Sequence, residues 1–484
     1  MTSLFRDDLH EDFGTWPLAY IPYGGADFGE IQAIAEVIGD GNDGAYYDAW
    51  NAAAGRLSAA ADAALAKGHV ASARALYLKA SAFYGTSFHP LFGAPVDPRL
   101  TAAFGKEVAA LDKGLALGPH PAGPLAIPFG QTPLPAYFIP AEGFETQIRP
   151  LIVFNNGYDA TITDKYFSCA VAASRREYHS LLFDGPGQGA MLYEHGIPLR
   201  PDWETVMKAV VDFAETLPLV DAKRIALSGW SLGGHLAPRG ASGEPRIAAL
   251  IADPGIWSIA DGFRDVLVRE FGVLPETAAD MGALDQAVID KLDAFIRGNR
   301  QLYWKVVQRG FWVHGVNDLR AYLASAELFT MRGRAKLIQC PTLITKAEND
   351  ALAADAEAFF DALECPKTLM HFSAAEGAGG HCEMGNRSFS MDGFLTGSTS
   401  NSSFDAVAGS GTPGRPAADR GLAACPLARA GPAATDTGQR RVSAGHEPAE
   451  GEAAPCVRPV GRWLVAAGRD GRRAARLPEG LRPV

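Results

Sequence analysis

Cysteine is scarce in this sequence and follows no binding pattern. Its six cysteines, among 484 residues, include no C-x-x-C pair and no regular spacing. Neither a disulfide framework nor a zinc site built from Cys and His is therefore indicated. We expect no metal and no cofactor, and we expect reduced thiols in a cytoplasmic protein.

Long apolar runs and basic stripes are missing as well. No stretch of about 18 uninterrupted apolar residues occurs, and residues 1–13 carry several acidic side chains. These features predict neither a membrane span nor a secretory signal. The formal net charge is −11, which argues against nucleic acid as the main partner because phosphates need cationic contacts. A small molecule is the expected partner.

The apolar residues that are present follow two different patterns along the chain. Up to about residue 120 the pattern is helical, with amphipathic stretches at 46–67 and 70–84. Gly68 lies between them, where a glycine ends a helix in a left-handed cap. The sequence therefore predicts a helical N-terminal domain at residues 1–120 that contains an antiparallel hairpin.

Short apolar runs begin near residue 125 and alternate with helical stretches. Runs in which apolar and polar residues do not alternate are typical of strands buried on both faces. Strands that alternate with helices predict a mainly parallel sheet. Prolines in the first two runs favour edge positions for both. The predicted strands are residues 125–129, 134–139, 151–154, 180–183, 225–227, 248–252, 342–345 and 368–372.

Residues 229–233 read GWSLG and follow one of these strands. Small residues that can open a helix come directly after them. In a strand–turn–helix context, the pattern G-x-S-x-G places its serine on a strained elbow with the hydroxyl exposed. The sequence predicts Ser231 as a nucleophile. The alternative is a glycine-rich turn whose serine caps the helix.

An acyl-transfer triad also needs an acid, which follows the serine in chains with this elbow. Asp350 lies in the loop after the strand 342–345, and loops at the carboxyl ends of parallel strands converge on the site. Glu348 and Asp355 are the competing acids. Asp350 has an alternative role as a helix cap, because an alanine-rich helical stretch follows it.

The base of the triad should come after the next strand. Residues 376–381 read EGAGGH and follow the strand 368–372, and glycines there let the backbone bring an imidazole over the serine. We therefore predict His381 as the base. His371 lies within the strand and His235 just after the elbow, so both are expected to be structural.

An oxyanion hole needs two backbone N–H groups that point at the developing negative charge. Leu232, directly after the serine, supplies one of them. The loop NNGYD after the third strand, which we call the oxyanion loop, supplies the other from Tyr158. Asn156, Asp159 and Trp230 are the predicted substrate contacts. Alternatively, Asn156 or Asp159 holds the loop in place by side-chain hydrogen bonds.

A helical, aromatic segment separates the sixth strand from the seventh and is too long for a crossover connection. We call this segment, residues 259–338, the insertion. It predicts a cap over the catalytic face, or alternatively a helical layer elsewhere. The sheet domain then comprises 121–258 and 339–386. Six aromatic residues of the insertion would either line a substrate pocket or form the core of the insertion. They are Phe263, Phe271, Tyr303, Trp304, Phe311 and Trp312.

Together these motifs resemble the α/β-hydrolase superfamily. The likeness covers about residues 10–386 and is carried by NNGYDAT, LLFDGPGQG, GWSLGGHLAPR, RIAALIADPG, PTLITKAEND and GAGGHCEMGN, with the helical N-terminal domain. Within the superfamily, the chain is similar to the group containing 2,6-dihydroxypseudooxynicotine hydrolase and the fungal pigment hydrolases that shorten polyketides. The resemblance implies an α/β-hydrolase fold with a mainly parallel sheet, a helical N-terminal domain and a helical cap insertion. It also implies a homodimer.

The resemblance further implies hydrolysis of a carbon–carbon bond next to a ketone, or of an ester, by the same triad. A carbanion leaving group must be protonated, so a further acid is useful, and Asp253, Asp261 and Asp265 are the open candidates. A general carboxylesterase or acyl-peptide hydrolase is the alternative enzyme. A non-catalytic binding protein on the same scaffold is the alternative outside catalysis.

The composition of the chain changes after residue 386. No lysine occurs beyond Lys367, while Arg, Ala, Gly and Pro accumulate without a period. We expect 387–484 to be a disordered or frameshifted tail. Residues 390–401 can be back-translated so that a shifted frame encodes FNGRFLDWLDEQ, an amphipathic pattern that resembles the final helix of the family. Sequencing the gene tests this interpretation.

Overall fold

The computed structural model describes residues 3–120 and 122–396. The tail predicted beyond residue 396 lies outside these residues. No helix within them is both long and apolar enough to cross a membrane.

The N-terminal part of the chain forms a layer of helices, as its periodicity predicted. The predicted hairpin is present, and Gly68 between its helices has a φ of 75°, a left-handed value that suits glycine. Aromatic side chains of the hairpin, among them Trp50 and Phe83, are fully buried where the helices pack. The helices are α1 (Asp8–Gly14), α2 (Phe28–Ile38), α3 (Asp43–Ala66), α4 (Val70–Ser87) and α5 (Pro98–Ala116).

Eight strands of the described residues form one sheet. They are β1 (Pro124–Ile127), β2 (Leu134–Ile139), β3 (Arg149–Asn155), β4 (His179–Phe183), β5 (Val220–Trp230), β6 (Ala249–Asp253), β7 (Thr342–Ala347) and β8 (Lys367–Phe372). Their order is β1-β2-β4-β3-β5-β6-β7-β8, and the six strands from β4 to β8 in this order are parallel. The central strands are buried along most of their length, which explains their unbroken apolar runs.

One of the two proline-containing strands is not at an edge. β1 is the edge strand, but β2 pairs antiparallel with β1 on one side and with β4 on the other. Pro135 is tolerated because its ladder with β4 begins only at Ala136, opposite Phe183. The carbonyl of Pro135 instead accepts the N–H of Asp184 at 3.1 Å. The expectation of two edge strands is therefore corrected for β2.

Helices connect the strands of the sheet. A helical stretch after β3 is continuous through a π-helical turn, Tyr166–Ala170, that joins its two α-helical parts. The helices in the first part of the sheet domain are α6 (Ile162–Lys165), α7 (Val171–Ser174), α8 (Gly189–Tyr193), α9 (Trp203–Ala214) and α10 (Gly233–Ala241).

The insertion is helical and has an apolar core of its own. Phe263 and Phe311 lie in that core, whereas Trp304 and Trp312 pack into the main core of the protein. These four aromatic side chains are therefore core residues. The helices are α11 (Asp261–Phe271), α12 (Gln286–Arg297), α13 (Arg300–Leu302), α14 (Phe311–His314) and α15 (Leu319–Glu327), with a π-helical turn, Tyr303–Gly310, before α14.

The sheet domain was predicted to end at residue 386, but the ten residues that follow form a helix that packs on it. After α16 (Ala356–Ala362) and β8, helix α17 spans Arg387–Thr396. Met391 and Phe394 on α17 are buried, and the ring of Phe394 meets that of Phe372 on β8 edge to face. The predicted start of the tail at residue 387 is therefore wrong, because apolar side chains continue to pack on the sheet through α17.

Candidate active site

Ser231 lies on a sharp turn between β5 and α10. Its φ is 58°, a left-handed value that is strained for a residue with a side chain. A Cβ on Gly229 would lie 1.8 Å from the carbonyl oxygen of Gly233, so the turn is too tight for a larger residue at position 229. The N–H of Ser231 donates to the carbonyl of Asp253 at 2.8 Å. The GWSLG motif thus forms the strained elbow that its sequence predicted.

Ser231, His381 and Asp350 are joined by hydrogen bonds. The Oγ of Ser231 lies 2.9 Å from Nε2 of His381, and Nδ1 of the same ring lies 2.8 Å from Oδ2 of Asp350. The other carboxylate oxygen of Asp350 accepts the N–H of Leu352 at 2.9 Å, so Asp350 also caps the turn that follows it. Its competitor Glu348 instead accepts the N–H of Ala374. This is the geometry in which an imidazole removes a proton from a serine hydroxyl.

The electrostatic environment of His381 favours its protonated form. Burial lowers the pKa of the imidazole. The adjacent Asp350 carboxylate and, to a smaller extent, Asp253 raise this pKa, and Lys305 lowers it. The net pKa of His381 lies above its ordinary value of 6.5. The Asp350 side chain is 3% exposed and that of His381 is 38% exposed, so the acid is enclosed and the base faces solvent.

The oxyanion loop packs directly against the elbow. A Cβ on Gly157 would lie 2.7 Å from Cβ of Ser231 and 2.9 Å from the nitrogen of Leu232, so only glycine fits this approach. Among the described residues, the N–H groups of Leu232 and Tyr158 donate to no backbone acceptor. Two N–H groups without acceptors beside a serine hydroxyl can bind a negatively charged oxygen.

Side chains of the insertion hold the oxyanion loop. The Tyr158 hydroxyl lies 2.7 Å from Nε2 of His314, and the guanidinium of Arg309 donates to both oxygens of Asp159 at 3.0 and 2.9 Å. Arg309 also lies over the Tyr158 ring, 4.3 Å from its centroid. Asp159 was predicted as a substrate contact, and this ion pair corrects that role to the alternative of holding the loop.

The structure also corrects the predicted substrate contact of Asn156. Its side chain is fully buried and donates to Oδ1 of Asp184 at 2.6 Å. Burial raises the pKa of Asp184 to about 7, although the hydrogen bond from Asn156 opposes this shift. Gln188 donates to the carbonyls of Asn156 and Gly157 at 2.7 and 3.0 Å. Asn156 therefore fixes the loop from behind, as the alternative interpretation stated.

Trp230 was the third predicted substrate contact, and it is buried instead. It packs with Ala160 and Cys382, and Trp16 closes over them. The ammonium of Lys165 lies 4.1 Å from the centroid of the Trp230 ring. An indole that is enclosed in this way supports the elbow from below and does not face a ligand.

Two of the three candidates for a further acid are engaged in ion pairs, and Asp265 is not among the ion pairs of the described residues. Asp253 binds the buried Arg387, and Asp261 binds Arg264 and Arg332. Neither carboxylate is therefore free to protonate a leaving group. In the part of the chain that the structure describes, no three His, Cys, Asp or Glu side chains are grouped so that they can hold a metal ion.

Two charged residues near His381 were not anticipated. Lys305 in the insertion lies 3.5 Å from Asp12 on α1, and the charge of each acts on the environment of His381. Burial raises the pKa of Asp12, and the charge of Lys305 lowers it in part. No sequence signal reveals this pair, because its members come from the N-terminal helices and from the insertion.

Comparisons with known proteins identify the family and the fold of this chain. Residues 153–388 match the profile of the alpha/beta hydrolase family. Hydrolase acrC of Aspergillus aculeatus is 33% identical over 349 residues, which are 68% of this chain and 80% of that protein. The 20-hydroxy-prefusarin hydrolase FUS2 of Gibberella moniliformis is 33% identical over 357 residues, or 72% and 84% of the two chains. The crystal structure of 2,6-dihydroxy-pseudo-oxynicotine hydrolase shares the fold, with a TM-score of 0.61 at 20% identity over 80% of this chain and 97% of that chain.

Proposed function

The chain belongs to the alpha/beta hydrolase family, and from this premise we propose that it cleaves a carbon–carbon bond next to a ketone, or an ester, through an acyl-enzyme on Ser231. The observation that carries the proposal is the hydrogen-bonded series from Ser231 through His381 to Asp350. This series supplies a nucleophile, a base and an orienting carboxylate in contact with one another.

In the proposed reaction, His381 takes the proton of Ser231 as Oγ bonds to the substrate carbonyl carbon. The carbonyl oxygen becomes an oxyanion that the N–H groups of Leu232 and Tyr158 stabilise. The bond to the leaving group then breaks, and protonated His381 gives its proton to the leaving carbanion or alkoxide. His381 then takes a proton from a water molecule that attacks the acyl-enzyme carbon, and it passes this proton to Oγ of Ser231 as the bond to the acyl group breaks and the acid product leaves. Asp350 keeps the imidazole oriented throughout.

Two further features complete the proposal. We propose that the insertion caps the site, which is supported by the contacts of His314 and Arg309 with the oxyanion loop. We also propose that the protein acts in the cytoplasm on a small, aromatic molecule and that it is a homodimer, as its resemblance to the family implies. Light scattering of the purified protein tests the dimer, and a monomer at micromolar concentration would refute it.

A fluorophosphonate probe tests the nucleophile without knowledge of the substrate. We expect the wild-type protein to be labelled on one serine and the Ser231→Ala variant to remain unlabelled. Intact mass spectrometry measures the added mass, and peptide mapping identifies the serine. A folded wild-type protein that is never labelled would favour a binding protein on the hydrolase scaffold.

A substrate panel tests the bond that is cleaved. The panel comprises β-diketones, aryl ketones and p-nitrophenyl esters. The compounds named for two relatives, 20-hydroxy-prefusarin and 2,6-dihydroxy-pseudo-oxynicotine, are tested beside it. Cleavage of a ketone by the wild-type protein but not by Ser231→Ala supports the carbon–carbon reaction. Ester turnover with no ketone cleavage would show a carboxylesterase.

A further inference from the structure

Asp253 forms hydrogen bonds with Ser231, directly after β5, and with Thr345 on β7. It ends β6, and its backbone oxygen accepts the N–H of Ser231 at 2.8 Å. Its Oδ1 accepts the hydroxyl of Thr345 at 3.1 Å, and Thr345 lies on β7, the strand that leads to Asp350. One buried residue therefore connects the elbow, through its backbone oxygen, with the strand of the proposed acid, through its carboxylate.

Arg387 connects this carboxylate to the turn that begins at His381. Its Nη1 donates to Oδ2 of Asp253 at 2.6 Å, to the carbonyl of Cys382 at 3.1 Å and to Oε2 of Glu383 at 3.4 Å. The Arg387 and Asp253 side chains are 2% and 1% exposed. A buried ion pair needs such additional hydrogen bonds to offset the loss of hydration. Two of the three bonds reach residues that follow His381, and Arg387 donates two further hydrogen bonds to the π-helical turn Tyr166–Ala170.

The backbone after His381 requires support of this kind. Cys382 and Glu383 have φ angles of 51° and 52°, so two successive residues with side chains occupy the left-handed region. Such conformations persist only where the surrounding structure determines them. Arg387 binds the carbonyl of Cys382 and the carboxyl group of Glu383, and the thiol of Cys382 also donates to the Asp253 carbonyl at 3.7 Å.

We propose that Asp253 and Arg387 are positioning residues that keep His381 in register with Ser231 and Asp350. The inference rests on the proposed function, because it assumes that this histidine is the base. The Asp253 and Arg387 side chains form no hydrogen bond with the imidazole or the serine hydroxyl in the described residues. They act on the triad through the backbone that they hold and through the charge of the carboxylate.

Several charged groups surround this pair. Burial raises the pKa of Glu383 well above its ordinary value, and Asp253 raises it further while Arg387 lowers it. The groups whose charges act on His381 are Asp350, Asp253, Lys305 and Asp12. Lys165 also interacts with both Asp253 and Arg387.

The rate of fluorophosphonate labelling of Ser231, measured against pH, tests the proposal in the full-length protein. Asp253→Asn keeps the shape of the side chain and removes its charge. We expect the plateau rate constant to fall about 100-fold, the effect of a displacement of about 1 Å in a reacting group. We also expect the acid inflection to move to lower pH, because a charge that raises the pKa of His381 is lost. A wild-type rate constant with an unmoved inflection would overturn the proposal.

Further variants separate positioning from loss of structure. Arg387→Met should slow labelling about as much as Asp253→Asn, and Arg387→Lys should recover part of that loss because it restores the cation. Arg387→Lys that labels no faster than Arg387→Met would argue against the ion pair.

A matched ion pair elsewhere provides the control. Arg239 on α10 donates to both oxygens of Glu204 on α9 at 2.8 and 3.1 Å. We expect Glu204→Gln to lose stability in urea unfolding but to label within about threefold of the wild-type rate. If Asp253→Asn does not fold, Arg387→Met carries the test, and its labelling at the wild-type rate would refute the proposal. Labelling of Ser231→Ala would instead refute the triad itself.

Discussion

The phenol oxygen of Tyr158 lies 2.7 Å from Nε2 of His314, and this contact joins the oxyanion loop to the insertion. Burial, followed by the charge of Arg309, lowers the pKa of His314 to about 3. The imidazole is therefore neutral at any pH used in an assay, and the contact is a hydrogen bond between two neutral groups. Through it, the position of the Tyr158 N–H depends on the insertion.

Removal of this hydroxyl should impair catalysis more than binding. We expect Tyr158→Phe to lower kcat about tenfold and to change KM by less than about threefold, because the oxyanion donor acts mainly in the transition state. Tyr303→Phe is the control, since Tyr303 lies in the same insertion and is 39% exposed. Equal kinetics of the two variants would show that the hydrogen bond between Tyr158 and His314 does not position the loop.

The acid of the triad is tested by comparing two carboxylates of one loop. Asp350→Asn should reduce kcat by about 10³- to 10⁴-fold, because the amide favours the wrong tautomer of His381. Glu348→Gln should stay within about threefold, since Glu348 accepts a backbone N–H away from the histidine. Steady-state kinetics of both variants decide the assignment. A larger loss in Glu348→Gln would transfer the role of acid to Glu348.

The pH profile should report the raised pKa of His381. The base must be neutral, so kcat/KM should rise with pH through an inflection above 6.5, the ordinary value for histidine. In Asp350→Asn the inflection should move to lower pH, because the largest factor that raises the pKa is lost. Because the folded-state pKa is raised, protonation of His381 also contributes stability below pH 6.5, and this contribution disappears as pH rises through the folded-state pKa. An acid inflection below 6.5 in the wild-type protein would contradict this account.

Much of the fold and the three central residues follow from sequence because their signals are local. The strands β3 to β8 are short apolar runs, and their order along the chain places the loops with Ser231, Asp350 and His381 at one edge of the sheet. The GWSLG motif then identifies the candidate nucleophile, and the glycines before His381 indicate the candidate base. Each of these inferences uses a pattern of fewer than about ten residues and a known strand–helix geometry.

The supporting residues could not be found in this way because their partners are distant along the chain. Asn156 and Asp159 were expected to face a ligand, but Asp184 and Arg309 bind them. Trp230 was expected at the surface of the site, but Trp16 from the N-terminal layer covers it. The identity of a polar or aromatic residue in a functional loop does not reveal whether its side chain contacts other protein residues or a ligand.

Helix α17 was also missed, and a pair of phenylalanines tests its contribution. Phe394 is 2% exposed and Phe389 is 44% exposed on the same helix. We expect Phe394→Ala to reduce the free energy of unfolding by about 3–4 kcal/mol, because it opens a cavity against β8. Phe389→Ala should cost about 1 kcal/mol or less. Urea unfolding of the full-length variants measures both, and equal effects would show that α17 does not pack as described.

A buried lysine beneath the elbow should destabilise the protein at neutral pH. Lys165 is fully buried, and its ammonium has no hydrogen-bond acceptor in the residues that the structure covers. Burial lowers its pKa from 10.5 to about 8. At about 1.4 kcal/mol per pKa unit, the cost of burying the charge is about 3 kcal/mol below pH 8. Contact with the Trp230 ring offsets up to about 2 kcal/mol of it.

Lys165→Met keeps most of the side-chain volume and removes the charge, so it should raise the free energy of unfolding by about 1–3 kcal/mol at pH 7. The sign follows from the lowered pKa, because the folded state resists protonation of Lys165 more than the unfolded state does. The difference between variant and wild type should therefore shrink as pH rises from about 8 to 10.5. Urea unfolding at pH 7 and pH 10 measures it, with Lys208→Met, an exposed lysine, as the control. A Lys165→Met protein less stable than wild type at pH 7 would show that the ammonium has a stabilising partner in the folded protein.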